Sequence, residues 1–207
     1  MGKIICLFLK RIFDLVFGAM IIILFLPWML LVSLFIKLDS KGPVFFAHDR
    51  IGFQSRKFKC WKFRTMHTGA EEKLNWLLLS NEEIKAEYER NCKLRDDPRV
   101  TRVGRFLRKT SIDELPQLWN VLKGEMSIVG PRPITEQELT RYGDGVKIYW
   151  QMKPGITGLW QVSGRSDTDY QERVRLDCCY ARTWSLWLDV VIIFRTIGVV
   201  LSCRGAY

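Results

Sequence analysis

The longest uncharged stretch of the chain lies near its start. Residues 15–36 contain 22 positions without a charge, equivalent to about 33 Å of helix, enough to cross the hydrocarbon core of a bilayer. Pro27 interrupts this stretch, and a proline inside a helix removes a hydrogen bond and favours a kink. The pattern predicts a re-entrant membrane hairpin over residues 1–40, a helix, a break near Pro27 and a second helix.

A single transmembrane helix with a proline kink explains the same stretch, and hydropathy alone does not separate the two topologies. The flanking charges favour the hairpin, because a spanning helix would carry one basic cluster across the membrane. These clusters are Lys3, Lys10 and Arg11 before the stretch and Lys37, Lys41 and Arg50 after it. A cleaved signal peptide is disfavoured, since the stretch is too long and no small-residue cleavage site follows.

The remaining residues, 41–207, have the length of one modest domain. Strand-forming residues at 44–46 and 58–63 flank a turn-like segment and predict a short β-hairpin. Apolar residues among charges over 71–93 predict an amphipathic helix that covers the domain. The expected fold class is therefore α+β and mainly helical: a re-entrant membrane hairpin, with interfacial amphipathic helices around a small cytosolic catalytic domain that contains the β-hairpin.

Two further segments alternate charged and apolar residues. Residues 100–108 repeat Arg at helical spacing, which predicts a helix at a polar interface or a helix with a solvated basic face. Residues 184–203 are apolar but include Asp189 and Arg195. A membrane span would bury both charges at roughly 2.5 to 3.5 kcal/mol each, so a surface-lying or protein-packed helix is expected instead.

Composition adds a preference for a membrane surface. The formal net charge is +10, which by itself suits anionic lipid, nucleic acid or phosphorylated substrates. The first 66 residues hold eleven Lys and Arg against three Asp, so most of the excess lies in or beside the apolar stretch, where a cytoplasmic leaflet would attract it. Six scattered cysteines without a CxxC pair are typical of a reduced protein, and two histidines exclude a histidine-rich metal site.

Candidate chemistry begins with two adjacent acids, Asp113 and Glu114, ahead of a helical pattern. Ser111 and Glu114 fit a capping box, or else Asp113 caps a helix that has Pro116 in its first turn. Both versions place the two carboxylates at a helix N-terminus, where phosphate also binds. Neighbouring acids can hold Mg²⁺ and an ionised aspartate can attack phosphorus, so capping and catalysis are compatible.

Two later motifs suit phosphate or nucleotide. Arg132 follows an apolar, strand-like stretch and has a proline on each side, which restricts the backbone around a guanidinium suited to bidentate phosphate binding. Residues 153–165 are Gly-rich and carry Gln161, Ser163 and Arg165. Alone, this last motif is more typical of a turn than of a nucleotide loop.

Together these motifs resemble the bacterial sugar transferase family, the small monotopic phosphoglycosyl transferases that act on polyprenol phosphate. The matching segments are residues 62–66, 108–120, 130–133 and 154–165. The resemblance covers essentially the whole chain and looks closest to the catalytic part of undecaprenyl-phosphate galactose or glucose phosphotransferases. In the family the re-entrant helix usually bends at Ser-Pro and leaves both ends in the cytosol, whereas here Leu26 replaces the serine.

The resemblance implies transfer of a hexose 1-phosphate from a UDP-sugar, UDP-galactose or UDP-glucose, to undecaprenyl phosphate, with release of UMP. Asp113 would attack the β-phosphate and form a covalent aspartyl-phosphosugar, which the lipid phosphate displaces in a ping-pong reaction. Glu114 would bind Mg²⁺ with Asp113 or handle a proton. The reaction would take place on the cytoplasmic face of the bacterial inner membrane, as the first membrane step of glycoconjugate assembly.

The resemblance also assigns the surrounding residues. Lys62, Arg108 and Arg132 match positions that line the phosphate site, and Gln161 and Arg165 are assigned to the nucleotide or the sugar. The expected partners are a UDP-sugar, undecaprenyl phosphate and the phospholipid bilayer, with no nucleic acid. The sugar and the oligomeric state, including a homodimer, stay open.

Three other functional classes explain the sequence less completely. A nucleic-acid binder explains the net charge but leaves the uncharged stretch unexplained and needs no pair of acids. A non-catalytic membrane scaffold explains the anchor, and predicts that Asp113→Asn leaves the function intact. A polytopic glycosyl-transfer enzyme would need more membrane spans than two apolar stretches provide.

Overall fold

The computed structural model describes residues 2–91, 94, 96–164 and 169–202, and within them the chain is mainly helical with two small sheets. The helices are α1 Gly2–Asp39, α2 Ala70–Ser80, α3 Glu82–Asn91, α4 Arg102–Thr110, α5 Gln117–Lys123, α6 Leu139–Tyr142, α7 Val146–Tyr149, α8 Leu159–Val162, α9 Tyr170–Thr183 and α10 Leu186–Ser202. The strands are β1 Phe45–Ile51, β2 Lys57–Phe63, β3 Ser127–Val129 and β4 Gly155–Thr157. Short 3₁₀ turns occupy Phe53–Ser55, Ile112–Glu114 and Gly143–Gly145.

Helix α1 is a long apolar helix that continues through Pro27. Its segment Ile5–Asp39 is the one described helix that is long and apolar enough to cross a membrane, judged by length and composition. Side chains near its middle are exposed, such as Ile23 at 74% and Trp28 at 62%. The break expected at Pro27 is not a loop, because the residues on both sides stay helical; the re-entrant path of this helix stays a prediction.

The predicted β-hairpin is confirmed. Strands β1 and β2 pair antiparallel, with Phe45 opposite Phe63 and Ile51 opposite Lys57. The second sheet joins β3 to β4 in parallel. The Gly-rich segment is thus a strand followed by the short helix α8, and a side chain at Gly155 would collide with the main chain of the neighbouring strand end.

The single amphipathic helix predicted over residues 71–93 is wrong. The segment forms α2 and α3, because Asn81 is extended and its Oδ1 accepts hydrogen bonds from the main-chain N–H groups of Glu83 (2.9 Å) and Ile84 (3.1 Å). Asparagine is a strong N-cap and starts a new helix here. Helix α2 buries none of its residues and leaves Trp76 exposed, so it does not cover the domain. Residues 92 and 93 lie outside the described part of the chain.

Both caps predicted for the helix after residue 111 are also wrong. Ser111 ends α4 in the left-handed conformation (φ 60°), and the chain then makes the 3₁₀ turn Ile112–Glu114. Helix α5 begins only at Gln117, directly after Pro116, since a proline has no N–H to place in a helix interior. The two acids therefore stand in a separate turn ahead of α5.

The core is built from buried clusters that tie these elements together. The largest contains Phe58, Cys60, Val121, Met126, Ile128, Val129, Met152, Tyr180 and Ile192, from β2, α5, β3, α9, α10 and adjoining segments. Another joins the end of α1 to β2 and α4 through Ile36, Phe63 and Leu107. Complete burial of one such side chain contributes roughly 1.5 to 3 kcal/mol. The cluster of Ile36, Phe63 and Leu107 fixes α4 against β2. Helix α4 ends just before the pair of acids, and β2 carries Lys62.

Helix α10 is packed against the protein along one face, as the charges in its sequence predicted. Ile192 is fully buried, whereas Phe194 is exposed. Asp189 is also buried, and it is paired with Lys10 of α1 at 2.6 Å between Nζ and Oδ2. This ion pair attaches the first part of α1 to the C-terminal helix.

Candidate active site

Asp113 and Glu114 share one lysine. Asp113 is 7% exposed and lies in the 3₁₀ turn between α4 and α5. Lys62, on β2, places its Nζ 2.6 Å from Glu114 Oε1 and 3.9 Å from Asp113 Oδ2. The carboxylates of two adjacent residues thus converge on one cation, which holds Glu114 more tightly than Asp113.

The titration of these groups reflects burial opposed by charge. Burial raises the pKa of Asp113 to about 6; Lys62 opposes the rise, Glu114 adds to it, and Arg108 opposes it more weakly. Burial lowers the pKa of Lys62, but Glu114 and then Asp113 bring that pKa above its ordinary value. Asp113 is therefore a carboxyl group whose ionised form is kept by neighbouring cations in a site that disfavours charge.

Lys62 is positioned by a buried amide. Asn120 on α5 is fully buried, and its Nδ2 donates to Lys59 O (2.7 Å) while its Oδ1 accepts from the Trp61 N–H (3.1 Å). These bonds join α5 to the unpaired side of β2. Because α5 follows the 3₁₀ turn directly, Asn120 fixes the strand that carries Lys62 relative to Asp113.

Arg108 is brought to the site by the close approach of α4. A side chain at Gly104 would collide with the main chain of Thr65, so glycine lets α4 lie directly on the segment after β2. One helical turn later, Arg108 Nε donates to Thr65 Oγ1 at 2.9 Å. Burial lowers the pKa of Arg108, and the charge of Asp113 opposes that change.

Arg132 and Gln161 both lie near Trp160. Arg132 follows β3, and its guanidinium carbon lies 5.5 Å from the ring centroid of Trp160. The positive charge of Arg132 acts to lower the pKa of Lys62, so the two side chains are close enough to interact electrostatically. Gln161 is on α8, next to Trp160. Arg165 lies outside the described residues.

The structure thus brings Lys62 and Arg108 to the pair of acids and places Arg132 within electrostatic range of Lys62. Sequence reasoning did not identify Asn120 or Thr65, whose roles follow from hydrogen bonds between segments far apart in the chain. Both residues lie inside the segments that carry the family resemblance. Their position in those segments was the sequence signal that pointed to them, although neither side chain is charged.

A metal at this position would have to use few protein ligands. Within the described ranges, no group of three or more His, Cys, Asp or Glu side chains is arranged to hold a metal ion. Mg²⁺ often binds through one or two carboxylates together with substrate phosphates. The carboxylates of Asp113 and Glu114 both face the ammonium group of Lys62. They therefore provide oxygen ligands around one position that a cation can occupy.

Comparison with known proteins gives a consistent assignment. The sequence profile described as bacterial sugar transferase matches residues 5–203. A UDP-galactose-lipid carrier transferase of Erwinia amylovora is 52% identical over 200 residues, covering 97% of this chain and 42% of the relative. An undecaprenyl-phosphate galactose phosphotransferase of Salmonella typhimurium gives the same identity and the same two shares. An exopolysaccharide production protein of Rhizobium meliloti is 46% identical, covering 96% of this chain and 88% of the relative.

The chain spans less than half the length of the first two relatives and most of the third. The profile match extends over nearly all of the sequence and includes Lys62, Asp113, Glu114 and Arg132. The motifs, the arrangement of the acids and the profile agree, and this chain belongs to the bacterial sugar transferase family.

Proposed function

We propose that the protein transfers a hexose 1-phosphate from a UDP-sugar to undecaprenyl phosphate, by way of a covalent intermediate on Asp113. The observation that carries this proposal is the environment of Asp113: a buried carboxyl with a pKa of about 6, beside Lys62 and Arg108, in a turn next to a long apolar helix. Such a group can act as a nucleophile toward phosphorus near neutral pH. The names of the relatives support the two substrates.

Asp113 suits the role of nucleophile better than Glu114. Glu114 makes the short contact with Lys62, at 2.6 Å, whereas Asp113 lies 3.9 Å from the same nitrogen. A carboxylate held in a short ion pair is a weaker nucleophile, because its charge is already compensated. Glu114 would instead orient Lys62, whose ammonium group neutralises charge on the diphosphate.

In the first step, a carboxylate oxygen of Asp113 attacks the β-phosphorus of the UDP-sugar. The bond between that phosphorus and the bridging oxygen breaks, and UMP leaves with the electron pair of the bond. Lys62 and Arg108 would stabilise the negative charge on the transferred group. The product on the protein is an acyl phosphate that carries the sugar.

In the second step, a phosphate oxygen of undecaprenyl phosphate attacks the same phosphorus. The bond to Asp113 breaks, the carboxylate is regenerated, and the lipid leaves as undecaprenyl diphosphate sugar. UMP departs before the lipid phosphate binds, so one set of cationic side chains can serve both steps.

Asp113 and Glu114 would hold Mg²⁺ together with the phosphates of the substrate. When bound, Mg²⁺ supplies positive charge to the diphosphate oxygens and favours departure of the nucleotide phosphate. Lys62, which contacts both acids, would move towards the transferred phosphate as the acids bind the metal.

The lipid substrate requires a site at the membrane, and we propose the re-entrant topology with both ends of α1 at the cytoplasmic face. The contacts of α1 support it. Lys10 and Asp14, before the apolar stretch, bond to β3 and α10. After the stretch, Asp39 accepts a hydrogen bond from the Val103 N–H at the start of α4. The folded domain thus holds both ends of α1 while the apolar middle of the helix stays exposed. This arrangement suits a segment that enters the bilayer and returns to the same side.

The test is retention of label on the protein. Purified protein in detergent micelles is incubated with UDP-galactose or UDP-glucose labelled in the β-phosphate, without lipid acceptor. We expect about one equivalent of label on the polypeptide and an equal amount of UMP, because the second step has no acceptor. Undecaprenyl phosphate should then remove the label, and Asp113→Asn should reduce labelling to background.

Asp144→Asn is the matched control. Asp144 is an exposed aspartate, also at the middle of a 3₁₀ turn, and its replacement should leave labelling unchanged. Release of UMP only in the presence of lipid, with no label on the wild-type protein, would indicate direct transfer between the two substrates. Full activity of Asp113→Asn would point instead to a scaffold or to another nucleophile.

A further inference from the structure

Two arginines from different elements meet at one tryptophan. Trp160, on α8, is 4% exposed. The guanidinium carbon of Arg173, on α9, lies 4.3 Å from its ring centroid, and that of Arg132, after β3, lies 5.5 Å from it. Stacking on an aromatic ring fixes the position of a guanidinium while leaving its N–H groups available to a ligand.

The two charges are close to each other and are not neutralised by an ion pair within the described residues. Arg173 has a lowered pKa, for which burial is the largest cause and the charge of Arg132 the next. A third arginine of this region, Arg50, is paired with Glu138 at 3.2 Å. No ion pair of that kind occurs at Arg132 or Arg173 among the residues that the structure describes.

Two acids act electrostatically on this pair. Glu138, which is paired with Arg50, also interacts with the charges of Arg132 and Arg173. Asp177 is fully buried, and burial raises its pKa to about 7; the hydroxyl of Tyr142, the N–H of Arg132 and the charges of both arginines oppose that rise. Its Oδ2 accepts from Tyr142 at 2.7 Å. The carboxyl group of Asp177 is therefore only partly ionised near neutral pH.

Unsatisfied polar atoms collect at the same place. Arg173 Nε, Trp160 Nε1, Gln161 Oε1 and Asp177 Oδ1 are buried and have no hydrogen-bond partner among the described residues. A buried polar atom without a partner destabilises a protein, so such groups are uncommon unless a ligand completes them. These atoms lie on residues of α8 and α9, next to two cations that have no ion pair within the described part of the chain. They indicate a place for an anion that also carries hydrogen-bonding groups.

We infer that Arg173 is a substrate-binding residue which, with Arg132, holds the phosphate of the leaving nucleotide. This inference rests on the proposed function. The donor has two phosphates, and the one that is attacked must lie between Asp113 and Lys62. The charge of Arg132 reaches Lys62, so the second phosphate would extend from the acids towards Arg132 and Arg173. Two guanidinium groups can neutralise the charge that develops on UMP as it leaves.

The test measures binding of the leaving nucleotide directly. UMP binding is measured by titration calorimetry on the full chain in detergent micelles. Arg173→Gln should raise the Kd for UMP about tenfold or more, because a charge-assisted contact to phosphate is lost. Discharge of the pre-formed labelled protein by undecaprenyl phosphate should also slow, because the attacking lipid phosphate takes the place that UMP has left. The circular dichroism spectrum of the variant should match that of the wild type, which excludes a general loss of structure.

Arg175→Gln is the matched control, because Arg175 lies on the same helix but is exposed and paired with Glu172; the Kd for UMP should not change. Arg173→Lys keeps the charge and should weaken binding less than Arg173→Gln, so it serves if Arg173→Gln does not fold.

Wild-type UMP affinity in both Arg173 variants, together with normal labelling of Asp113, overturns this inference and leaves the proposed function intact. Slower lipid discharge with unchanged UMP binding also overturns the inference and assigns the cations to the lipid phosphate. A wild-type protein that takes no label contradicts the proposed function instead.

Discussion

At the scale of single residues, the reactivity of Asp113 is set by two opposed effects. Burial disfavours its charge, and Lys62 restores part of the stability of that charge. The balance gives a pKa of about 6. The group is mostly ionised at neutral pH, yet it is more basic, and so more nucleophilic, than an exposed aspartate.

This balance predicts the pH dependence of the first half-reaction. Protonated Asp113 cannot attack, so the rate of UMP release without lipid should rise with pH and level off above a midpoint no higher than about pH 6. Bound Mg²⁺ favours the carboxylate and lowers the midpoint, so its concentration is held constant. The rate is measured by rapid quench between pH 4.5 and 8.

Lys62→Met provides the control for that profile. Removing the largest effect that lowers the pKa of Asp113 should move the midpoint to higher pH, besides reducing the plateau rate. A midpoint that moves to lower pH, or a rate independent of pH across the range, would contradict the assignment of Asp113 as the titrating nucleophile.

At the scale of elements, the first part of α1 is attached by three charged residues within about one helical turn. Lys10 bonds to Asp189 and to Val129 O (3.0 Å). Arg11 donates to two carbonyls at the end of α5, and Asp14 Oδ1 accepts from the Ser127 hydroxyl and the Ile128 N–H at 3.0 Å. Lys10 and Arg11, which predicted the membrane topology from the sequence, thus also fasten α1 to β3 and α5, the elements that flank the acids and Arg132.

Lys10 and Asp189 should show strong coupling in stability. Their side chains are 8% and 4% exposed, so Lys10→Met leaves a buried carboxylate without its cation, bonded to Tyr180 and Trp184 among the described residues. We expect a loss of about 3 to 5 kcal/mol in the free energy of unfolding. The measurement is chemical unfolding in detergent micelles, followed by circular dichroism.

The double variant Lys10→Met with Asp189→Asn should recover part of that loss, because asparagine keeps a hydrogen-bond acceptor and removes the unpaired charge. Lys57→Met, which breaks the exposed pair with Glu136, is the matched control and should cost less than about 1 kcal/mol. Simple additivity of the two buried substitutions would show that the pair is not coupled.

At the scale of the whole molecule, α1 exposes apolar side chains between two anchored ends. Ile23, Leu24, Trp28 and Leu30 are each more than 60% exposed. A water-soluble monomer rarely presents such a continuous apolar surface. The anchored ends and the exposed middle together favour a loop into the membrane, which the proposed reaction with a lipid phosphate also requires.

The topology is tested with native cysteines. Variants that retain only Cys6, before the apolar stretch, or only Cys179, on α9, are treated in spheroplasts with a membrane-impermeant maleimide. The re-entrant path predicts that neither is labelled until the cells are lysed, because both lie in the cytosol. Labelling of one of the two in intact spheroplasts would establish a spanning helix. Labelling of both after lysis controls for access to the thiols.

Local patterns in the sequence were sufficient for several features of this protein. The uncharged stretch, the β-hairpin and the charged, packed helix α10 follow from hydropathy and periodicity, which depend on residues close together in the chain. The adjacent acids were visible for the same reason. Their association with Lys62, Arg108 and Arg132 was predicted from the family resemblance, not from spacing.

The tertiary structure alone decided how the site is assembled. Lys62 meets Glu114 across 52 positions, and Lys10 meets Asp189 across 179; no local pattern encodes such pairs, because they depend on how β2, α5 and α10 pack. Packing also overrode local capping signals around Ser111. The sequence by itself determined an apolar anchor and a pair of acids, whereas the fold determined which cations surround them, since charge compensation of a buried group depends on distance in space.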